Sequence, residues 1–219
     1  SWISFGAFNL QPAEFAKWAT ALALAKLMGR YGFSMANRRD FARAVGMVLL
    51  PMVLIVMQRE TGSALVYLAF FLMFYREGMP GSVLFTAVAM VIYFVVGIKY
   101  ENVMLWDTPT SVGKFVVLLL VQIFTSGMIW SYVKDKRMTR IILTYSFGIT
   151  LGFLLFSEFV IPFDIVWVQL IMCAGLIGFL IYQGLSTRFI NYLYIGLFAV
   201  GSIMFFYSAD FVLNDVLEP

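Results

Sequence analysis

The sequence predicts an all-α fold: a polytopic transmembrane helix bundle of about eight spans, with both ends of the chain on the outer side. Three observations predict it. Of 219 residues, 62% are hydrophobic and only 12% charged, against about 45–50% apolar and about 25% charged in ordinary soluble domains. The apolar residues gather into runs near the ~20 residues that cross a bilayer. No alternating ten-residue pattern of a membrane barrel occurs, so helices are left to satisfy the backbone in lipid.

The runs fall at 14–30, 42–57, 63–75, 81–98, 112–133, 139–161, 165–183 and 189–207. The first carries Glu14, Lys17 and Lys26, so it is expected to pack inside a bundle rather than face lipid. Pro51 lies inside the second and predicts a kink there. The third is short and needs Tyr75 and the residues before Ser63 to reach a span's length. Pro162 and Asp164 read as a tight turn, with Asp164 able to cap the next helix. Trp106, Trp130 and Trp167 fit interfacial belts. Gln122 and Gln169, inside spans, read as interhelical hydrogen-bonding residues, and the many glycines as sites of close helix packing.

Orientation follows from the charges. With alternate connections assigned to the cytoplasm from 27–41 onward, that side holds Lys26, Arg30, Arg38, Arg39, Arg43, Arg76, Lys134, Lys136, Arg137, Arg140 and Arg188. These eleven cations meet three acids, whereas the other side has four cations and nine acids, a balance of +8 against −5. The bias in Lys and Arg places the first side inside. The start, Ser1-Trp2-Ile3-Ser4, is neither an initiator Met nor a signal peptide, and the end lacks terminator character, so the sequence is expected to be a piece of a longer protein.

Composition also narrows the chemistry. There is no His, the commonest general base and metal ligand. The single Cys173 cannot form an internal disulfide. Phosphate-binding loops, HExxH, CxxC, GxSxG and dinucleotide fingerprints are absent, and nothing points to nucleic acid. Two polar stretches stand out. In Gln11-Pro12-Ala13-Glu14-Phe15-Ala16-Lys17, Pro12 suits a first helical turn, Glu14 favours the positive helix end, and Lys17 shares its face. This is either a capped helix with a local ion pair or an ionisable pair at the rim of a site. In Gln58-Arg59-Glu60-Thr61-Gly62-Ser63-Ala64, Gly62 permits a sharp turn and Thr61 or Ser63 can cap the next helix. This is either an ordinary outer turn or a second wall of the cavity bounded by Glu14 and Lys17.

These stretches resemble the SEDS family of RodA-like and FtsW-like proteins, nearer the RodA-like pattern. That pattern is a Trp-containing outer loop, here Trp2, then Gln-Pro-Ser-Glu-Phe-Ala-Lys, and one span out and one back, Gln-Pro-Asp-Leu-Gly-Thr-Ala. The second motif departs most, having lost its Pro. The resemblance covers roughly residues 1–80 and divides the chain into a SEDS-like core segment, 1–80, and further spans, 81–219, with four extra spans as two inserted hairpins before an outer loop begun by Asn214-Asp215.

The resemblance implies a bacterial peptidoglycan glycosyltransferase of the cytoplasmic membrane. Such a protein polymerises lipid II at the outer face during elongation and shape maintenance, with a class B penicillin-binding protein as transpeptidase partner. The family's catalytic Asp is expected beyond this chain, which would be inactive alone. Gln11, Glu14, Lys17, Gln58, Arg59, Glu60 and Ser63 are the expected substrate-binding or supporting residues. No cofactor is resolved, and a divalent cation beside the substrate's diphosphate stays open. The competing classes are a transporter or lipid-precursor flippase, and a scaffold that only recruits partners.

Overall fold

A computed structural model describes residues 3–5, 8–58, 61–106 and 108–211. The sequence expectations at Trp2, Arg59, Glu60 and Asn214-Asp215 lie outside the described residues. The chain divides into two compact units, Ser1–Val88 and Ala89–Pro219.

The first unit opens on a departure from the all-α expectation. Two three-residue strands, β1 (Ile3–Phe5) and β2 (Phe8–Leu10), pair antiparallel with Ile3 opposite Leu10. Ile and Phe favour extended backbone, and Pro12, without an N–H, starts the helix behind them. Helix α1 then runs Pro12–Met28 and α2 runs Arg38–Met57, continuing through Pro51. The expected third span is not one helix. It divides into α3 (Thr61–Val66) and α4 (Leu68–Arg76) around Tyr67. There the Phe70 N–H bonds to the Tyr67 carbonyl three residues back (3.1 Å), a tightening of the helical repeat. Gly62 lies in the first turn of α3 rather than in a sharp turn, because the helix already begins at Thr61. Leu24 of α1, Ala44 and Val48 of α2, Tyr67, and Phe71 and Phe74 of α4 belong to one buried core.

Helix α5 (Gly81–Lys99) carries the boundary between the units. The second unit continues with α6 (Val112–Met128), a π-helical turn Ile129–Val133, α7 (Lys136–Phe159), α8 (Val166–Thr187) and α9 (Ile190–Phe211). Among the described residues, five helices are long and apolar enough to cross a membrane: α5, α6 with its π turn, α7, α8 and α9. The chain is therefore a helical protein of the multi-pass membrane class. Helix α6 is the central one, with 56% of its span buried against 11% for α7. The exposed Tyr145, Phe147, Leu151 and Phe153 of α7 suit contact with acyl chains.

Polar groups inside the second unit are tied across helices, as read for Gln122 and Gln169. The Gln122 amide of α6 donates to the Gln169 side-chain oxygen of α8 and accepts from the Ser146 hydroxyl of α7. Gln169 in turn donates to Thr150 of α7 at 2.8 Å. Close glycine packing holds at particular positions only. A Cβ on Gly113 would lie 2.6 Å from the Gly97 carbonyl oxygen, whereas Gly148 and Gly152 face open space.

The two ends of this unit differ in charge. At one end Lys114 of α6 pairs with Asp210 of α9 at 3.0 Å, and the Ile165 N–H bonds to the Thr110 hydroxyl. Asp164 accepts the Val166 N–H at 3.0 Å, so it satisfies an orphan donor at the start of α8. At the other end the Asn191 amide of α9 donates to the Tyr132 carbonyl. That end collects Lys134, Lys136, Arg137, Arg140 and Arg188, with Asp135 among them.

Candidate functional site

The candidate site lies at the start of α1. The Glu14 N–H bonds to the Gln11 carbonyl at 3.0 Å, closing the first turn, and Pro12 takes a position where no donor is needed. Glu14 therefore stands at the positive end of the helix. One turn on, the Lys17 ammonium contacts the Glu14 carboxylate at 2.5 Å. The two differ in exposure: the Lys17 side chain is 17% exposed and that of Glu14 52%. The arrangement holds an ammonium half inside the unit with its charge steered by a carboxylate on the rim. An ammonium so placed can stabilise a developing negative charge on a phosphate.

The same face of α1 continues to Thr20. Its hydroxyl donates to the Ala16 carbonyl at 2.7 Å and lies 3.3 Å from the Tyr67 hydroxyl. With the Thr20 proton placed on Ala16, Tyr67 is the donor of this pair. Thr20 is three residues beyond Lys17, and Tyr67 four beyond Ser63, so this contact couples the helix of the first stretch to that of the second. Ser63 is half-buried in α3, Gln11 half-buried before α1, and Gln58 exposed at the end of α2. The side chains of Arg59 and Glu60 lie outside the described residues.

Sequence reasoning missed Thr20 and Tyr67. A signal existed for Thr20, a hydroxyl at i+3 from Lys17 in a helix otherwise Ala- and Leu-rich. None existed for Tyr67, whose partner is 47 residues away. Among the described residues no group of three or more His, Cys, Asp or Glu is placed to hold a metal ion.

The fold is that of a multi-pass helical membrane protein, and the motifs at its start have a family. The model of the FtsW, RodA and SpoVE family, described as cell cycle protein, matches residues 1–110. The chain belongs to this family. It is 42% identical over 93 residues to the peptidoglycan glycosyltransferase RodA of Treponema pallidum (strain Nichols), which covers 42% of this chain and 21% of that protein. It is 37% identical over 67 residues to the stage V sporulation protein E of Bacillus subtilis (strain 168), covering 30% of this chain and 18% of that protein. The chain thus spans about a fifth of the length of these curated relatives. No solved structure matches.

Proposed function

We propose that this chain is part of a RodA-like peptidoglycan glycosyltransferase that polymerises lipid II at the outer face of the bacterial cytoplasmic membrane during elongation and shape maintenance. The observation that carries the reading is the Glu14–Lys17 pair, standing in the motif at the start of the family-matched residues 1–110.

In this reading eight spans place both chain ends outside, and the cation-rich end of the second unit faces the cytoplasm. Glycosyl transfer from a lipid diphosphate needs positive charge at the leaving group and a base for the attacking hydroxyl. Lys17 and Arg59 supply the charge, and Glu14 orients Lys17. Gln11, Gln58 and Ser63 bind polar groups of the substrate, and Glu60 orients the substrate or a neighbouring loop. The base is assigned to none of the acids of this chain, which alone is expected to be inactive. A class B penicillin-binding protein is the expected transpeptidase partner.

Reconstitution of the intact protein with lipid II tests the reading. New glycan that is lost on Lys17→Ala supports it. Translocated lipid without glycan would favour a flippase, and neither product a scaffold.

A further inference from the structure

We propose that the turn joining α6 to α7 is a binding site for an anionic phospholipid, with Lys134 and Lys136 on the headgroup phosphate and Trp130 against the upper acyl chain. The site is built by an irregular stretch of backbone. At the end of α6 the helix widens, and the Lys134 N–H bonds to the Ile129 carbonyl five residues back at 3.1 Å. Such π turns are rare and concentrate at functional positions. Lys134 itself is left-handed, with φ 62°, a conformation that a lysine adopts at a cost and that glycine would adopt freely. The reversal sets Lys134 and Lys136 on one open cavity of about 500 Å³, lined also by Gly127, Trp130 and Ser131.

The acid between the two lysines forms no ion pair with either of them. Asp135 turns its carboxylate to the Met138 N–H at 2.9 Å, capping α7. Among the described residues neither Lys134 nor Lys136 has a carboxylate at salt-bridge distance. Arg137, Arg140 and Arg188 add positive charge at the same end. The position selects a lipid over a soluble anion. The cavity lies at the end of a membrane-length helix, Val112–Val133. Trp130 is exposed beside it, as at a membrane–water interface. Basic pockets between spans on the cation-rich side attract acidic headgroups.

The site lies outside the family-matched residues 1–110, so lipid binding and glycan synthesis are separate readouts. The test is native mass spectrometry of the full chain in detergent, titrated with phosphatidylglycerol, phosphatidylcholine or inorganic phosphate. The unmodified chain is expected to retain phosphatidylglycerol over phosphatidylcholine. Lys134→Gly and Lys136→Gln are each expected to weaken that retention about fivefold, the effect of one interfacial cation. Lys134→Gly also relieves the left-handed backbone, so its loss of lipid cannot be assigned to misfolding. Trp130→Ala should weaken phosphatidylglycerol binding at unchanged charge. Retention unchanged in both lysine variants overturns the proposal. So does an equal loss in Arg137→Gln with Arg140→Gln, which would show diffuse attraction only, or inorganic phosphate competing as well as the lipid.

Discussion

The hydroxyl of Tyr67 lies 3.3 Å from that of Thr20, in a contact that spans 47 residues of sequence. Both side chains are buried, and the contact falls where the third apolar run divides into α3 and α4. It joins α1, which carries Glu14 and Lys17, to the segment that begins at Thr61.

Tyr67→Phe removes the donor and leaves Thr20 on the Ala16 carbonyl. The expected loss is about 1 kcal/mol, in the range of interhelical hydrogen bonds in membranes. Tyr67→Ala also empties a fully buried position and is expected to cost about 3–5 kcal/mol. Denaturant titration in mixed micelles would measure both, and a Phe variant as unstable as the Ala variant would contradict the assignment.

Glu14 and Lys17 should separate stability from activity. An i,i+3 pair with one partner half exposed contributes a few tenths of a kcal/mol, about 0.5 at most. Glu14→Ala and Lys17→Ala are therefore expected to leave membrane levels and unfolding nearly unchanged. In the intact protein Lys17→Ala should lower polymerisation about a hundredfold, the order seen when one charge-stabilising group is removed. Glu14→Ala should lower it less, since it acts through Lys17. Normal glycan synthesis in both would leave only the helix-capping role.

Gly113 and Gly148 make a matched pair. Gly113→Ala drives a Cβ to 2.6 Å from the Gly97 carbonyl oxygen, and backbone cannot turn aside as a flexible side chain can. The expected cost is about 1–3 kcal/mol. Gly148→Ala meets nothing within 4 Å and should be neutral or stabilising by up to about 1 kcal/mol. Thermal unfolding of the two variants in one detergent would decide it.

The Gln122–Gln169 pair should show strong coupling. Gln122→Leu takes the donor from the buried Gln169 side-chain oxygen, whose amide keeps Thr150, and the acceptor from the half-buried Ser146 hydroxyl, at about 1–3 kcal/mol. Adding Gln169→Leu removes one of the stranded groups, so the double variant should cost less than the sum of the singles. A double-mutant cycle that closes additively would show that the network contributes little.

Much of the helix layout was legible in the sequence. Seven of the eight apolar runs each correspond to one helical segment, because a length of apolar side chains favours a helix in lipid without reference to any partner, and among the described residues five of these are long and apolar enough to cross a membrane. The start of α1 was legible for a similar reason. Pro12, Glu14 and Lys17 act on their own helical turn, and their spacing alone puts them in reach of one another.

Tertiary structure decided what depends on residues remote in sequence. The division of the third run at Tyr67, the partners chosen by Gln122 and Gln169, and the glycines that lie at contacts are of this kind. So is the π turn that brings Lys134 and Lys136 to one cavity. Hydropathy is a property of a segment, and it determined that this chain is a helical membrane protein. Hydrogen bonds and close approaches belong to pairs, and only the packing of one helix on another determined which pairs form.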